Sequence, residues 1–161
     1  MPATDTPAVL VLNGPNLNML GRREPAVYGR QTLADIEEMA TREAASLGLT
    51  VDFRQSNSEA ELIDWIHRAP GEYAAIVINA GAFSHTSVAL RDALLIAGLP
   101  VIEVHISNIF KREAFRHHSY ISAAARGLIC GLGGKGYCLA LDAVADILAG
   151  DKTELTGDGQ T

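Results

Sequence analysis

Cysteine, lysine and long apolar runs are all scarce in this chain, and each shortage removes a class of function. Two cysteines, Cys130 and Cys138, among 161 residues cannot build a disulfide framework, which points to a reducing compartment. The three lysines, Lys111, Lys135 and Lys152, fall outside the predicted strands, so iminium chemistry through a desolvated lysine finds no candidate. No apolar run reaches the ~20 residues of a membrane span. The opening MPATDTPA has neither the cationic patch nor the apolar stretch of a secretory signal, and the expected location is cytoplasmic. Net positive charge is missing too: 13 Lys+Arg face 19 Asp+Glu, a formal net charge of -6. No global basic field therefore draws nucleic acid or anionic lipid, and an anionic ligand must be held by local cations. With 48% hydrophobic and 20% charged residues the chain is neither disordered nor collagen-like, and its length suits one domain spanning 1–161.

What is present is an alternation. Runs rich in Val, Ile and Leu recur at 8–12, 49–53, 74–79, 100–106 and 127–132, each reading as a strand buried on both faces. Helical spacing fills most of the gaps. Leu33, Ile36, Met39, Ala40, Ala44 and Leu47 trace one stripe, capped by Thr32 and ended by Gly48. Ser58 and Glu61 have capping-box spacing ahead of Leu62, Ile63, Trp65 and Ile66. A third helix runs from about 87 to 97, stopped by Gly98 and Pro100, and a fourth from about 136 to 148, with Tyr137, Leu141, Val144, Ala145 and Leu148 at helical intervals. The expected fold is α/β: a flavodoxin-like, doubly wound five-stranded parallel sheet in a three-layer α/β/α arrangement. The ordered core should span about 8–149, with polar tails at 1–7 and 150–161.

In such a fold ligands sit beyond the carboxyl ends of the strands. Two connections there are long: residues 13–31, rich in Asn, Gly, Pro and Arg, and residues 107–126, carrying Lys111, Arg112, Arg116, His117 and His118. Loops of that length usually bind or cover something. The segment GLGGKG at 131–136 matches a dinucleotide pattern, but it follows the last strand, and no strand-end carboxylate can follow some twenty residues later. Its glycines read better as a tight strand-to-helix turn. A receiver would need carboxylates where Asn13 and Asn79 stand, and a flavin-phosphate loop would need Ser and Thr where Asn, Pro and Arg occur.

The strand ends and the loops after them gather Asn16, Arg22, Arg23 and Tyr28; Asn79, Gly81 and His85; and Glu103, His105, Ile106, Ser107, Arg112 and Arg116. Without a Ser-His-Asp or Cys-His arrangement, acid–base chemistry remains. Guanidiniums near Tyr28, Arg23 from its own loop and Arg112 from the other, would favour its phenolate, which could take a proton alpha to a carbonyl. Asn16, directly or through a water, could support the enolate. His105, held by Glu103 on the same face of its strand, could protonate a leaving hydroxyl. That sequence is β-elimination of water. Two alternatives stay open: a metal-dependent lyase or hydrolase using His85, Glu103 and His105, and a non-catalytic nucleotide- or FMN-binding module.

The segments NGPNLNMLGRREPAVYG, RQSNSEAELIDWIH, NAGAFSHTSVALRDAL, PVIEVHISNIFKREAFRHHSYIS and GLGGKGYCLAL together resemble the type II 3-dehydroquinate dehydratases, or type II dehydroquinases, along nearly the whole chain except its tails. The resemblance implies conversion of 3-dehydroquinate to 3-dehydroshikimate and water through an enolate, with no cofactor and no metal, on the shikimate route to chorismate and aromatic amino acids. It implies a homo-oligomer as well, a dodecamer built from trimers. By the same resemblance the proton acceptor falls on Tyr28 and the donor on His105. Arg23 falls on the residue that lowers the pKa of the base, Asn16 on the one that organises the water at the enolate, and Glu103 on the acid orienting the donor. Substrate contacts fall on Asn79, His85, Ile106, Ser107 and Arg116, and Arg112 matches a guanidinium beside the base. Asp92 matches a contact that reaches a neighbouring subunit's site. The loop from Gly14 to Gly29 fits a lid that brings Tyr28 and Arg23 into place. Limited proteolysis is expected to cut near Arg22 and Arg23 in the free protein, and a substrate mimic to protect the bond; equal cleavage argues against closure.

Overall fold

Five short strands form one parallel sheet: β1 Ala8–Asn13, β2 Thr50–Gln55, β3 Ala75–Asn79, β4 Val101–His105 and β5 Gly127–Cys130. The order in this computed structural model, which describes residues 6–22, 26 and 29–157, is β2-β1-β3-β4-β5. That is the flavodoxin-like doubly wound order expected from the alternating pattern, with its switch point between β1 and β3. Among the described residues four helices of ten or more residues flank the sheet: α1 Leu33–Ser46, α2 Glu59–Arg68, α3 Val88–Ala97 and α4 Lys135–Gly157.

Strand periodicity divides the core in two. Val9, Val11, Val77 and Val104 face α1 and α4, meeting Ile36, Ala40, Leu141 and Val144. Leu10, Leu12, Ile76 and Ile78 face α2 and α3, meeting Leu62, Ile66, Leu90 and Leu94. Each fully buried aliphatic side chain contributes roughly 1.5–3 kcal/mol. Burial on both faces holds for β1, β3 and β4 but not for β2 and β5, whose residues are half-buried or exposed. Those two are the edge strands, each lacking a neighbour on one side.

Helix boundaries follow capping chemistry. Thr32 and Asp35 form a full capping box, whereas the box expected from Ser58 and Glu61 is represented by one bond, Glu61 N–H to Ser58 Oγ at 3.2 Å. At the end of α1, Gly48 adopts φ 72°, and Leu49 N–H returns to the Ala44 carbonyl at 2.8 Å. This is a Schellman cap, and it takes Leu49 out of the strand predicted for it. Helix α4 runs on past Leu148 to Gly157, into the polar segment expected to be a tail; no proline interrupts it, and helix continues without an apolar stripe where nothing breaks it.

The link from β4 to β5 is not a helix but three short 3-10 turns, Ile109–Lys111, Ala114–Arg116 and Ser122–Ala124. Beyond β1 the chain passes so close to the end of β3 that a Cβ on Gly14 would lie 2.3 Å from the Ala80 carbonyl oxygen. Backbone cannot yield there, so Gly14→Ala should cost ~3 kcal/mol or more. Gly150→Ala, a helical position with open space around it, should stabilise by about 0.5–1 kcal/mol. Urea denaturation of both variants measures the contrast; similar stabilities would contradict the close approach.

Candidate active site

A cavity of about 180 Å³ opens at the carboxyl ends of β1, β3 and β4. That is below the ~300–1,000 Å³ of drug-sized pockets and suits a small molecule. Asn16, Asn79, His85, His105, Ile106, Ser107, Arg112 and Arg116 all line it. The sequence placed every one of these at a strand end or in the loops that follow. Glu103 stands behind His105 in β4. Asp92 lies exposed on α3 and is not part of the cavity wall. Arg23 and Tyr28 lie outside the described residues.

Asn16 is the only described non-glycine residue with positive φ, 69°, a conformation that asparagine tolerates better than most side chains. Its N–H donates to Asn57 Oδ1 at 3.0 Å, which anchors the turn at the cavity mouth. From β4, His105 Nε2 meets Glu103 Oε2 at 2.5 Å. Residues two apart on a strand share a face, so this pairing follows from the spacing. Ser119 donates to Glu103 Oε2 at 2.7 Å and Ser122 to Oε1 at 2.5 Å. Burial pushes the Glu103 carboxyl up, but the bonds from His105, Ser122 and Ser119 outweigh it and hold the acid below its usual range. A carboxylate receiving Nε2–H fixes the ring, leaving Nδ1 without a protein partner among the described residues.

His85 stacks over His105 with ring centroids 6.2 Å apart. Its Nδ1 lies 2.8 Å from the His118 carbonyl, so Nδ1 carries the hydrogen and Nε2 is an acceptor. Burial pulls the His85 pKa below its ordinary value of 6.5; the His118 carbonyl opposes this, while His105 and Arg116 add to it. Arg116 donates to Glu113 at 2.7 Å and lies over the Phe115 ring. Arg112 Nη1 is 3.5 Å from Ser107 Oγ.

Among the described residues no group of three His, Cys, Asp or Glu is placed to hold a metal. The glycine run leading into α4 serves close packing: a Cβ on Gly136, in the first turn of the helix, would lie 3.3 Å from Val104. No described helix is long and apolar enough to cross a membrane. The sequence reading did not include Ser119, Ser122, Leu17, Leu20 or Ile109. The two serines were detectable in principle, since a buried acid at 103 requires donors; the apolar lining carries no chemical signature.

A doubly wound sheet whose switch point presents an acid–histidine dyad and two arginines to one small cavity defines an enzyme that moves protons on a small anion. The profile of the family described as Dehydroquinase class II matches residues 7–145. A 3-dehydroquinate dehydratase 2 from Pseudomonas putida is 61% identical over 88% of this chain and 95% of its own length. A 3-dehydroquinate dehydratase from Streptomyces avermitilis is 58% identical over 90% and 94%. The crystal structure of the type II dehydroquinase from Propionibacterium acnes superposes with a TM-score of 0.83 at 50% identity, covering 86% of this chain and 96% of that one. The chain belongs to the class II dehydroquinase family, the type II 3-dehydroquinate dehydratases of the shikimate pathway, and by that membership is a hydro-lyase.

Both His85 and Glu103 have pKa values below ordinary. As pH falls, the unfolded chain takes up their protons first, so their stabilising contribution is present at neutral pH. It is lost downward from the ordinary histidine range, and again through the carboxylate range. Long-range nitrogen NMR should find His85 as the Nδ1–H tautomer with a titration midpoint below 6.5. An Nε2–H ring, or a midpoint above that value, would contradict the geometry.

Proposed function

We propose that this chain removes water from 3-dehydroquinate, giving 3-dehydroshikimate through an enolate, with Tyr28 as proton acceptor and His105 as proton donor. The observation that carries the chemistry is the Glu103–His105 pair directed into a cavity shared with Arg112 and Arg116. Support for the substrate comes from relatives about 60% identical over nearly their full length, which are 3-dehydroquinate dehydratases.

In this reading the phenolate of Tyr28, favoured by Arg23 and Arg112, takes a proton alpha to the ketone. The electron pair moves onto the carbonyl oxygen, where a water held by Asn16 stabilises the enolate. Collapse of the enolate expels the β-hydroxyl, which leaves as water with a proton from His105. His105 acts as the doubly protonated ring: its Nε2–H stays on Glu103, and its Nδ1 hydrogen is the one given to the leaving group. Asn79, His85, Ser107, Arg116 and the backbone and side chain of Ile106 hold the rest of the substrate. All the reacting bonds are handled by side chains, with no cofactor. The wider reading is a cytoplasmic homo-oligomer, a dodecamer of trimers, in which the exposed Asp92 of α3 reaches a neighbour's cavity.

Tyr28→Phe should lower turnover by about three orders of magnitude or more while leaving binding of a ring analogue within a few-fold, the pattern of a group that acts in the transition state. Absorbance of the enone product is the assay. Product formation by the unaltered protein should survive both chelator and borohydride. Retained turnover in Tyr28→Phe removes the base, and loss of activity with chelator restores the metal-dependent alternative.

A further inference from the structure

Tyr137 enters the sequence pattern only as one apolar position on α4, yet its hydroxyl is buried beneath the two strand ends that border the cavity. Asn13 and Asn79 are register partners at the ends of β1 and β3, so their side chains emerge side by side on the α4 face. The Tyr137 hydroxyl bridges them, donating to Asn13 Oδ1 at 2.6 Å and accepting from Asn79 Nδ2 at 2.9 Å.

The direction of this chain is fixed at both ends by backbone groups that cannot reverse. Asn13 Nδ2 donates to the Arg54 carbonyl at 3.0 Å, so its Oδ1 must be the acceptor facing the tyrosine. At the other end the Gly81 N–H donates to Asn79 Oδ1 at 3.2 Å, so Asn79 must turn Nδ2 toward the tyrosine. A hydroxyl is the group that can close the gap, because it donates one way and accepts the other. Burial pushes the Tyr137 phenol far above its usual range, which keeps its hydrogen in place. One residue before the ring, in the first turn of α4, a Cβ on Gly136 would lie 3.3 Å from Val104.

We propose that Tyr137 is a positioning residue for substrate binding: its hydroxyl locks the Asn79 amide so that one Nδ2 hydrogen and one Oδ1 lone pair face the cavity. This rests on the reading of Asn79 as a substrate contact. An amide freed from the tyrosine can rotate or flip, exchanging donor and acceptor toward the ligand, and a mismatched polar contact weakens binding. The lock acts on ground state and transition state alike, so it governs KM rather than kcat.

The test is a double-mutant cycle on the intact chain, with steady-state kinetics on 3-dehydroquinate and thermal melting on each variant. Tyr137→Phe should raise KM roughly tenfold with kcat within about twofold. On an Asn79→Ala background, where the bond to Asn79 is already gone, it should raise KM less than about twofold and lower Tm less than it does in the parent chain. A purely structural tyrosine would shift Tm and leave KM unmoved, or multiply KM equally in both backgrounds; either result overturns the lock while Asn79 keeps its role. If Asn79→Ala itself leaves KM unchanged, Asn79 is not a contact and the lock falls with that reading. Should Tyr137→Phe fail to fold, Asn13→Ala frees the same hydroxyl and must give the same KM-only rise, abolished over Asn79→Ala; an unchanged KM overturns the proposal.

Discussion

A carboxylate with no exposure to water ends the interior of this sheet, and much of the local structure exists to satisfy it. Glu103 is 0% exposed and would be costly to bury unpaired. It accepts hydrogen bonds from His105, Ser119 and Ser122. The two serines come from the β4–β5 connection, which must therefore fold back beneath the strand end instead of crossing as a helix. In doing so it carries Arg112 and Arg116 to the cavity wall. The same constraint thus satisfies a buried charge, fixes the histidine ring and delivers the cations.

The frame of the fold was legible because its signals are local and repeated. Apolar runs mark the strands, Thr32, Ser58 and Ser87 begin helices, and Gly48 and Gly98 end them. The boundaries that shifted did so for tertiary reasons. Leu49 is claimed by the carbonyl of Ala44 in a helix cap, and β2 and β5 are less buried than their composition suggests because each is an edge. The strand-end rule located the cavity residues with little more than parity and loop length. It could not show Ser119, Ser122 or the hydroxyl of Tyr137, since each acts through a partner 16 or more positions away in sequence.

Close approach of backbones explains why glycine recurs where chemistry is dense. Gly14 donates to the Asn79 carbonyl at 2.8 Å and leaves no room for a Cβ, which brings the loop after β1 onto the end of β3. Asn16 and Asn79 can then line one cavity although 63 positions separate them. The pattern GLGGKG does similar work for α4. Its likeness to a dinucleotide motif reflects a shared need for tight turns, with the phosphate-binding context absent.

Charge in this protein is arranged by position against its own sum. The chain carries a formal -6, yet the cavity wall includes Arg112 and Arg116, a local positive charge set against the overall sign. Arg116 is also held before any ligand arrives. Its Nε donates to Glu113, and its guanidinium lies 5.0 Å over the Phe115 ring. Ordering a long side chain on binding costs about 0.5–1.5 kcal/mol. A guanidinium already fixed in plane by a carboxylate and an aromatic face avoids most of that cost. The Glu113 pair lowers net cavity charge slightly, but an exposed carboxylate is well screened by water, and the gain in preorganisation is the larger effect.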